Sequence, residues 1–414
     1  MFDDNSHPAA AGPAQTRSTP VALARGREFL SIPGPTNVPE VVLAAMNRPA
    51  VDIYAEELLE TTGRCLEDLK TVFRTKAADT YIYIANGHGG WEAALTNTLS
   101  RGDRVLVLES GRFAKGWGEM GALMGIDVEI LPGDWRRAVD PAAVEARLRA
   151  DREHRIKAVL VVQVDTASGV VNDIPAIRAA MDAAGHPALY MVDGIASVGC
   201  MPFETDAWRI DVAVTASQKG LMMIPGLAFL AASPKAKAAH AKADLRTAYW
   251  DWTARDGIEN YRKFCGTAPE HLLFGLTTAL DLLFAEGLEA AWARHRALAR
   301  AVQAAVSVWA RGGALEFNVA NPAERSPSVT TILTPGFDPE ALRGFARVNL
   351  GVILGSGIGD LSGKAFRIAH MGYANAPMVL GTLGAAETAL RALGIPHGTG
   401  GLQAAADALA GHFG

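Results

Sequence analysis

Apolar and polar positions alternate along this chain in two rhythms. Short, nearly continuous apolar runs cover residues 81–84, 104–108, 127–131, 157–163, 188–192, 211–215 and 227–231. Runs of this length, bounded by turn residues, predict strands buried on both faces of a sheet. Between them apolar residues recur at helical spacing. Two of these stretches carry helix-start signals, Asp140-Pro141 and Asp173-Ile174-Pro175, an acid at the capping position followed by proline in the first turn. Strands alternating with helices predict βαβ units: an α/β fold with a mostly parallel, seven-stranded sheet flanked by helices.

After about residue 275 the rhythm changes. Residues 277–308 are rich in Ala and Leu at helical spacing, predicting a long helix or a helix pair. A strand (328–333), a helix (339–348), a further strand pair and a terminal helix follow. This predicts a smaller C-terminal α+β domain. The expected organisation is a flexible tail over 1–26, a large domain over 27–284 and a smaller one over 285–414. No internal repeat is visible.

Composition narrows the class. The 414 residues carry 39 Lys+Arg and 44 Asp+Glu, a net charge of −5, and 49% are hydrophobic. A weakly acidic chain lacks the basic footprint of a nucleic-acid binder. Cys65, Cys200 and Cys265 are far apart and form no metal-like cluster or disulfide framework. The first 26 residues lack the apolar stretch of a signal peptide. The most apolar stretch, 220–232, is broken by Pro225 and Gly226, whereas a membrane span needs about 20 apolar residues. The expectation is a cytoplasmic protein with no metal cluster, no nucleic-acid footprint and no membrane span.

Three features carry candidate chemistry. The strand at 81–84 runs into Ala85-Asn86-Gly87-His88-Gly89-Gly90, and a helix follows. Such a turn presents backbone N–H groups at a helix N-terminus and suits a phosphate; it also suits a plain tight βα turn. The strand at 188–192 ends in Asp193-Gly194, where open α/β sheets bind ligands, though an acid there also caps helices. The strand at 211–215 leads to Ser217-Gln218-Lys219-Gly220. A lysine at a strand end is a surface residue or, where desolvated, a Schiff-base nucleophile. Phosphate cradle, acid and lysine, in that order, are the parts a pyridoxal phosphate site needs.

With these residues the sequence resembles the class V branch of fold type I pyridoxal-phosphate (PLP) enzymes, in the alanine/serine–glyoxylate aminotransferase group. The resemblance rests on Ile32-Pro33-Gly34-Pro35-Thr36-Asn37-Val38-Pro39, Asn86-Gly87-His88-Gly89-Gly90-Trp91-Glu92-Ala93-Ala94, Thr166-Ala167-Ser168-Gly169-Val170, Val192-Asp193-Gly194-Ile195-Ala196-Ser197, Ser217-Gln218-Lys219-Gly220 and Phe366-Arg367-Ile368-Ala369-His370-Met371-Gly372. It implies that Lys219 forms the Schiff base with the cofactor and that Asp193 pairs with its pyridine nitrogen. Gly87, His88 and Gly89, with Gln218, would hold the phosphate. Phe113 would stack on the ring and Thr166 would sit near its phenolic oxygen. Arg367 would grip the substrate α-carboxylate, with Gly34 and Tyr54 beside the substrate. Thr267 would reach the phosphate from the other subunit, implying a homodimer with the active site at its interface. The implied reaction moves an amino group from a small amino acid to a 2-oxo acid by a ping-pong route.

The sequence also departs from that group. Its usual His-Arg pair near the substrate is Ile53-Tyr54 here, and its tyrosine-bearing phosphate loop reads Phe264-Cys265-Gly266-Thr267, with Tyr261 nearby. Tyr54 and the run Ala114-Lys115-Gly116-Trp117 are similar to pyridoxamine–pyruvate aminotransferase, although Ile358 stands where that enzyme's extra arginine is expected. A lyase of the same fold would need a nucleophilic cysteine, for which Cys265 is the candidate. A non-catalytic PLP-binding regulator fits poorly, because Lys219 is present and no basic DNA-binding extension is. His370 reads more readily as a satisfied loop histidine than as a catalyst, and Trp91 as either core or ligand contact.

Overall fold

The computed structural model describes residues 23–413, so most of the tail expected over 1–26 lies outside the described residues. In chain order the strands are β1 (Phe29–Ser31), β2 (Asp79–Ala85), β3 (Arg104–Leu108), β4 (Asp127–Leu131), β5 (Ile156–Val162), β6 (Val164–Asp165), β7 (Val170–Val171), β8 (Leu189–Asp193), β9 (Val212–Ala216), β10 (Gly226–Ala232), β11 (Glu316–Phe317), β12 (Val329–Leu333), β13 (Val352–Ser356) and β14 (Ala365–Ala369).

Seven of them form the large sheet in the order β2-β10-β9-β8-β5-β3-β4. These are the seven apolar runs read from the sequence, with ends moved by at most two residues. β9, β8, β5, β3 and β4 are mutually parallel, and β10 alone runs antiparallel to its neighbours β2 and β9. The period of two along each strand divides the core. Leu106, Val159, Val161, Tyr190, Val192 and Phe229 face one cluster, together with Leu69, Ile177, Leu276 and Leu280 of the covering helices. Val107, Leu160, Met191, Val214 and Leu230 face the other, beneath Trp91, Leu95 and Trp117. Burial on both faces is why these strands read as continuous apolar runs. The two helix starts hold: Asp140 accepts the Ala142 N–H, and Asp173 the Ala176 N–H, each at 2.9 Å.

The smaller sheet has the order β1-β13-β14-β12-β11. Its strands pair antiparallel except for β1, which lies parallel to β13. Chain position grouped Phe29–Ser31 with the 27–284 unit, yet this strand hydrogen-bonds in the C-terminal sheet. A third cluster, including Leu298, Val302, Trp309, Leu342, Phe366, Ile368 and Leu390, packs between this sheet and its helices. The helical stretch at 277–308 is a pair, Glu270–Glu286 and Leu288–Trp309, broken at Gly287 (φ 86) and bent by 81°. Two helices, Ala376–Ala392 and Gly401–Ala410, end the chain where one was expected. Among the described residues no single helix is long and apolar enough to cross a membrane. The turns after β2, β5, β8 and β9, with the segment after β1, converge at one end of the large sheet, where an open α/β sheet offers a crevice.

Candidate active site

Asp193 is the last residue of β8, a strand buried throughout. Its Oδ2 accepts the indole N–H of Trp91 at 2.8 Å, and its Oδ1 accepts the Ile195 N–H at 2.6 Å. Burial raises its pKa to about 7, opposed by these two donors. Trp91 is therefore both core and site: it is fully buried and it orients the acid.

Lys219 lies in the turn after β9 and is buried. Its Nζ donates to the Pro33 carbonyl. Desolvation, with the Arg367 cation second, lowers its pKa to about 8, so an appreciable minority of the amine is neutral near physiological pH. The turn is tied down from several sides. Ser217 Oγ donates to the Ile224 carbonyl at 2.7 Å, and Thr36 uses its N–H on the Gln218 carbonyl and its Oγ1 on the Lys219 carbonyl, both at 3.1 Å. Gly34 (φ +109) makes room for the lysine, since a Cβ there would stand 2.5 Å from Nζ.

Gly34, Gly87, His88, Phe113, Thr166, Asp193, Gln218 and Lys219 line one cavity of about 220 Å³. The Gly-rich turn opens the helix Gly87–Thr98, capped by Asn86, whose Oδ1 accepts the His88 N–H at 3.1 Å and the Gly89 N–H at 3.4 Å. Gly89 does not line the cavity; it packs on its own strand, with a Cβ placed there 2.6 Å from Ala85 Cβ. Phe113 sits in the first turn of the helix Arg112–Leu123, edge-on to Trp91 at 6.3 Å.

Arg367, on β14, approaches from the smaller sheet. Its Nε donates to the Ser356 carbonyl at 2.6 Å and its Nη1 to the Thr166 carbonyl at 2.8 Å. Nη2 has no protein partner among the described residues. Burial lowers its pKa to about 10, still charged at neutral pH.

The sequence reading missed Asp165. This fully buried carboxylate accepts the N–H groups of Phe113 at 2.8 Å, Ala114 at 3.1 Å and Ala167 at 2.9 Å. It therefore fixes Phe113 and the Thr166 turn together. An acid closing an apolar strand, directly before Thr166, was the available signal. His370 is satisfied by the Pro327 carbonyl at 2.8 Å and Thr330 Oγ1 at 3.0 Å, away from the cavity. Tyr54 and Thr267 are not brought to the cavity within one protomer: both are exposed, Tyr54 to 61%. Cys265 is exposed beside Thr267 and likewise lies outside it.

The donor set fits PLP. The cavity offers an amine at Lys219, a buried carboxyl at Asp193 and an aromatic face at Phe113. The Gln218 amide makes no side-chain hydrogen bond among the described residues, which leaves its Nε2 to donate to an anionic ligand; its Oε1, an acceptor, is buried without a partner.

Comparison with known proteins gives the same family. The description "Aminotransferase class-V" matches residues 29–366. The serine–glyoxylate aminotransferase of Methylorubrum extorquens is 40% identical over 88% of this chain and 91% of its own. The L-aspartate–glyoxylate aminotransferase of Paracoccus denitrificans is 39% identical over 91% of this chain and 94% of its own. The crystal structure of pyridoxamine–pyruvate aminotransferase from Mesorhizobium loti superposes with a TM-score of 0.84 at 30% identity, covering 93% and 98% of the two chains. The strand-end acid and lysine, the arginine reaching in from the second sheet and these likenesses together make this chain a member of the class V aminotransferase family, a transaminase of the PLP-dependent fold type I.

Proposed function

We propose that this aminotransferase carries an amino group from a small amino acid (serine, alanine or aspartate) to glyoxylate or pyruvate, by a ping-pong route with PLP as carrier, in a homodimer. The observation that carries the reading is the pairing of Lys219 and Asp193 on one cavity, with Arg367 bound to the carbonyl of Thr166 in its wall and the lysine amine lowered to about 8. When bound, PLP supplies an aldehyde that condenses with amines and a ring that takes up an electron pair.

The residues' duties follow from their surroundings. Asp193, held by Trp91 and Ile195, would keep a proton on the ring nitrogen, which favours the acid's ionised form over its burial-raised neutral one. Gln218 and the Gly87-His88 turn would hold the phosphate, and Phe113 would cover the ring. Lys219, neutral above about pH 8, would take the proton from the substrate α-carbon and return it one position away. Arg367 is fixed by two backbone carbonyls and would use Nη2, which has no protein partner among the described residues, on the substrate carboxylate. Tyr54 and Thr267, exposed in the protomer, would complete the partner's site. The surrounding core excludes water, which strengthens each of these interactions.

The test is the visible spectrum of the purified protein before and after L-serine, L-alanine, L-aspartate and pyridoxamine, added singly. Loss of the yellow band with one amino acid, and its return with glyoxylate or pyruvate, is the expected result. A response to pyridoxamine alone would replace this reading with the pyridoxamine–pyruvate one, and a band that no donor changes would overturn both.

A further inference from the structure

A second cavity lies behind the first. Val162 ends β5 and Val164 begins β6, and both line the cavity of Lys219 and Asp193. Gln163, between them, lines a separate cavity of about 650 Å³. The two cavities therefore stand back to back across this segment, and they have no lining residue in common. Gln163 is 2% exposed. Its N–H donates to the Asp193 carbonyl at 2.9 Å, and its carbonyl accepts the Asn172 N–H at 2.8 Å. Its side-chain Nε2 donates to the carbonyl of Pro202, another residue of the cavity wall, at 3.2 Å. A carbonyl can only accept, so this bond fixes which end of the amide carries the oxygen. Gln163 Oε1 is then a buried acceptor without a partner among the described residues, and Nε2 keeps a second N–H to give. A buried acceptor left unpaired is costly, and a ligand with a donor would satisfy it.

The rest of the lining says what should carry that donor. Ile174, Pro175, Met201 and Trp208 give apolar walls, one of them aromatic. The charged lining is acidic, with Asp140, Asp173 and Glu324 against the single cation Arg137. Glu324 uses both oxygens, on the Ala138 N–H at 2.7 Å and on Asn321 Nδ2 at 2.8 Å. Asp140 and Asp173 each cap a helix through Oδ1 alone, which leaves Oδ2 to accept from a ligand. We propose that this cavity binds an adenine-type nucleoside. Its exocyclic amine donates to Gln163 Oε1 and the neighbouring ring nitrogen accepts from Nε2, the two-point pairing by which an amide reads adenine. The base stacks on Trp208, and the ribose hydroxyls donate to Asp140 and Asp173. The volume is that of a small-molecule site, and the acidic lining favours the uncharged nucleoside over its phosphates.

The inference goes beyond transamination and is tested apart from it, since adenosine has neither an α-carboxylate nor an aliphatic amine. Adenosine, purine riboside (the same nucleoside without the exocyclic amine) and AMP are titrated calorimetrically into the PLP-loaded protein and into its Gln163→Leu and Trp208→Leu variants. The expected result is one adenosine per protomer with the visible spectrum unchanged. Purine riboside should bind about tenfold or more weakly, because it leaves Gln163 Oε1 unpaired, and AMP should bind more weakly than adenosine. Trp208→Leu should weaken adenosine about tenfold or more. Gln163→Leu should do the same and abolish the preference for adenosine over purine riboside. The comparison of the three ligands on the native protein decides the matter even if Gln163→Leu does not fold. Absence of adenosine binding, equal binding of purine riboside, tighter binding of AMP, or loss of the yellow band on adding adenosine would each overturn the proposal.

Discussion

At the scale of single residues, the site is governed by desolvation that is only partly compensated. Lys219 is held at about 8 against an ordinary 10.5, by burial and by Arg367. The neutral amine is the reactive form, so the rate at which PLP reacts with the apoprotein should rise about tenfold per pH unit below 8 and level off above it. In Arg367→Gln the midpoint should move upward, because a cation that disfavoured the protonated lysine is gone; stopped-flow absorbance from pH 6 to 9 reads both, and an unmoved midpoint would contradict the coupling. The same shift has a stability sign. Between about 8 and 10.5 the unfolded chain binds a proton that the folded apoprotein does not, so Lys219 adds stability as pH rises through that window. Trp91 gives a second prediction. Its bond to a carboxylate is worth about 1.5–3 kcal/mol, so Trp91→Phe should weaken PLP binding by about 10- to 100-fold while leaving the helix packed. Equal affinity by equilibrium titration would count against the orienting role. Asp193 and Lys219 stood out in the sequence because one closes an apolar strand and the other follows one, whereas Arg367 was singled out only through the family resemblance. The donor to Asp193 did not stand out, since an indole N–H one turn into a helix looks the same in sequence whether it meets a carboxylate or a core.

At the scale of elements, the local pattern predicted what is local. Seven apolar runs became seven strands, and two Asp-Pro-type starts became capped helices. What it did not reveal is long-range pairing. Phe29–Ser31 is three residues long, and nothing in those residues specifies β13 as partner, more than 300 residues away. Asp165 is the same kind of case: its value lies in joining the start of Arg112–Leu123 to the turn after β5, a contact that only the fold supplies. Gly111 is the position where this joint is most tightly built, since a Cβ there would stand 2.2 Å from Asp165 Cγ. Gly111→Ala should therefore cost about 1–3 kcal/mol of stability and weaken PLP binding together, by displacing Phe113 and Thr166. Gly344→Ala, in the helix Pro339–Leu350 with open space at its Cβ, should instead gain about 0.5–1 kcal/mol and leave PLP binding alone. Thermal midpoints and PLP titrations on the two variants separate a joint specific to the site from a general cost of replacing glycine.

At the scale of the whole molecule, the protomer's cavity holds most of the residues that the sequence singled out, and two of them lie outside it. Tyr54 and Thr267 stand apart from the cavity, in segments joined by the bond from Asn260 Nδ2 to the Ile53 carbonyl at 3.3 Å. Those segments also display apolar side chains to solvent: Ile258 is 86% exposed and Tyr261 55%. Large apolar groups exposed together mark contact surfaces, and in the homodimer proposed above this surface would pack on a second copy, with Tyr54 and Thr267 at that copy's cavity. The prediction is that Ile258→Glu shifts the protein towards monomer in sedimentation, because a buried, unpaired carboxylate at an interface is costly. The monomer should retain its fold by circular dichroism yet bind PLP more weakly, having lost the phosphate contact from Thr267. Thr267→Ala in the native assembly should reproduce the weaker PLP binding without dissociation. If the Ile258→Glu monomer binds PLP and turns over like the parent, each protomer's site is complete by itself and the exposed segment serves some other contact. If both variants weaken PLP binding and only one dissociates, the sequence's phosphate loop acts across the interface, and its departure from the family's tyrosine-bearing form becomes a property of the dimer.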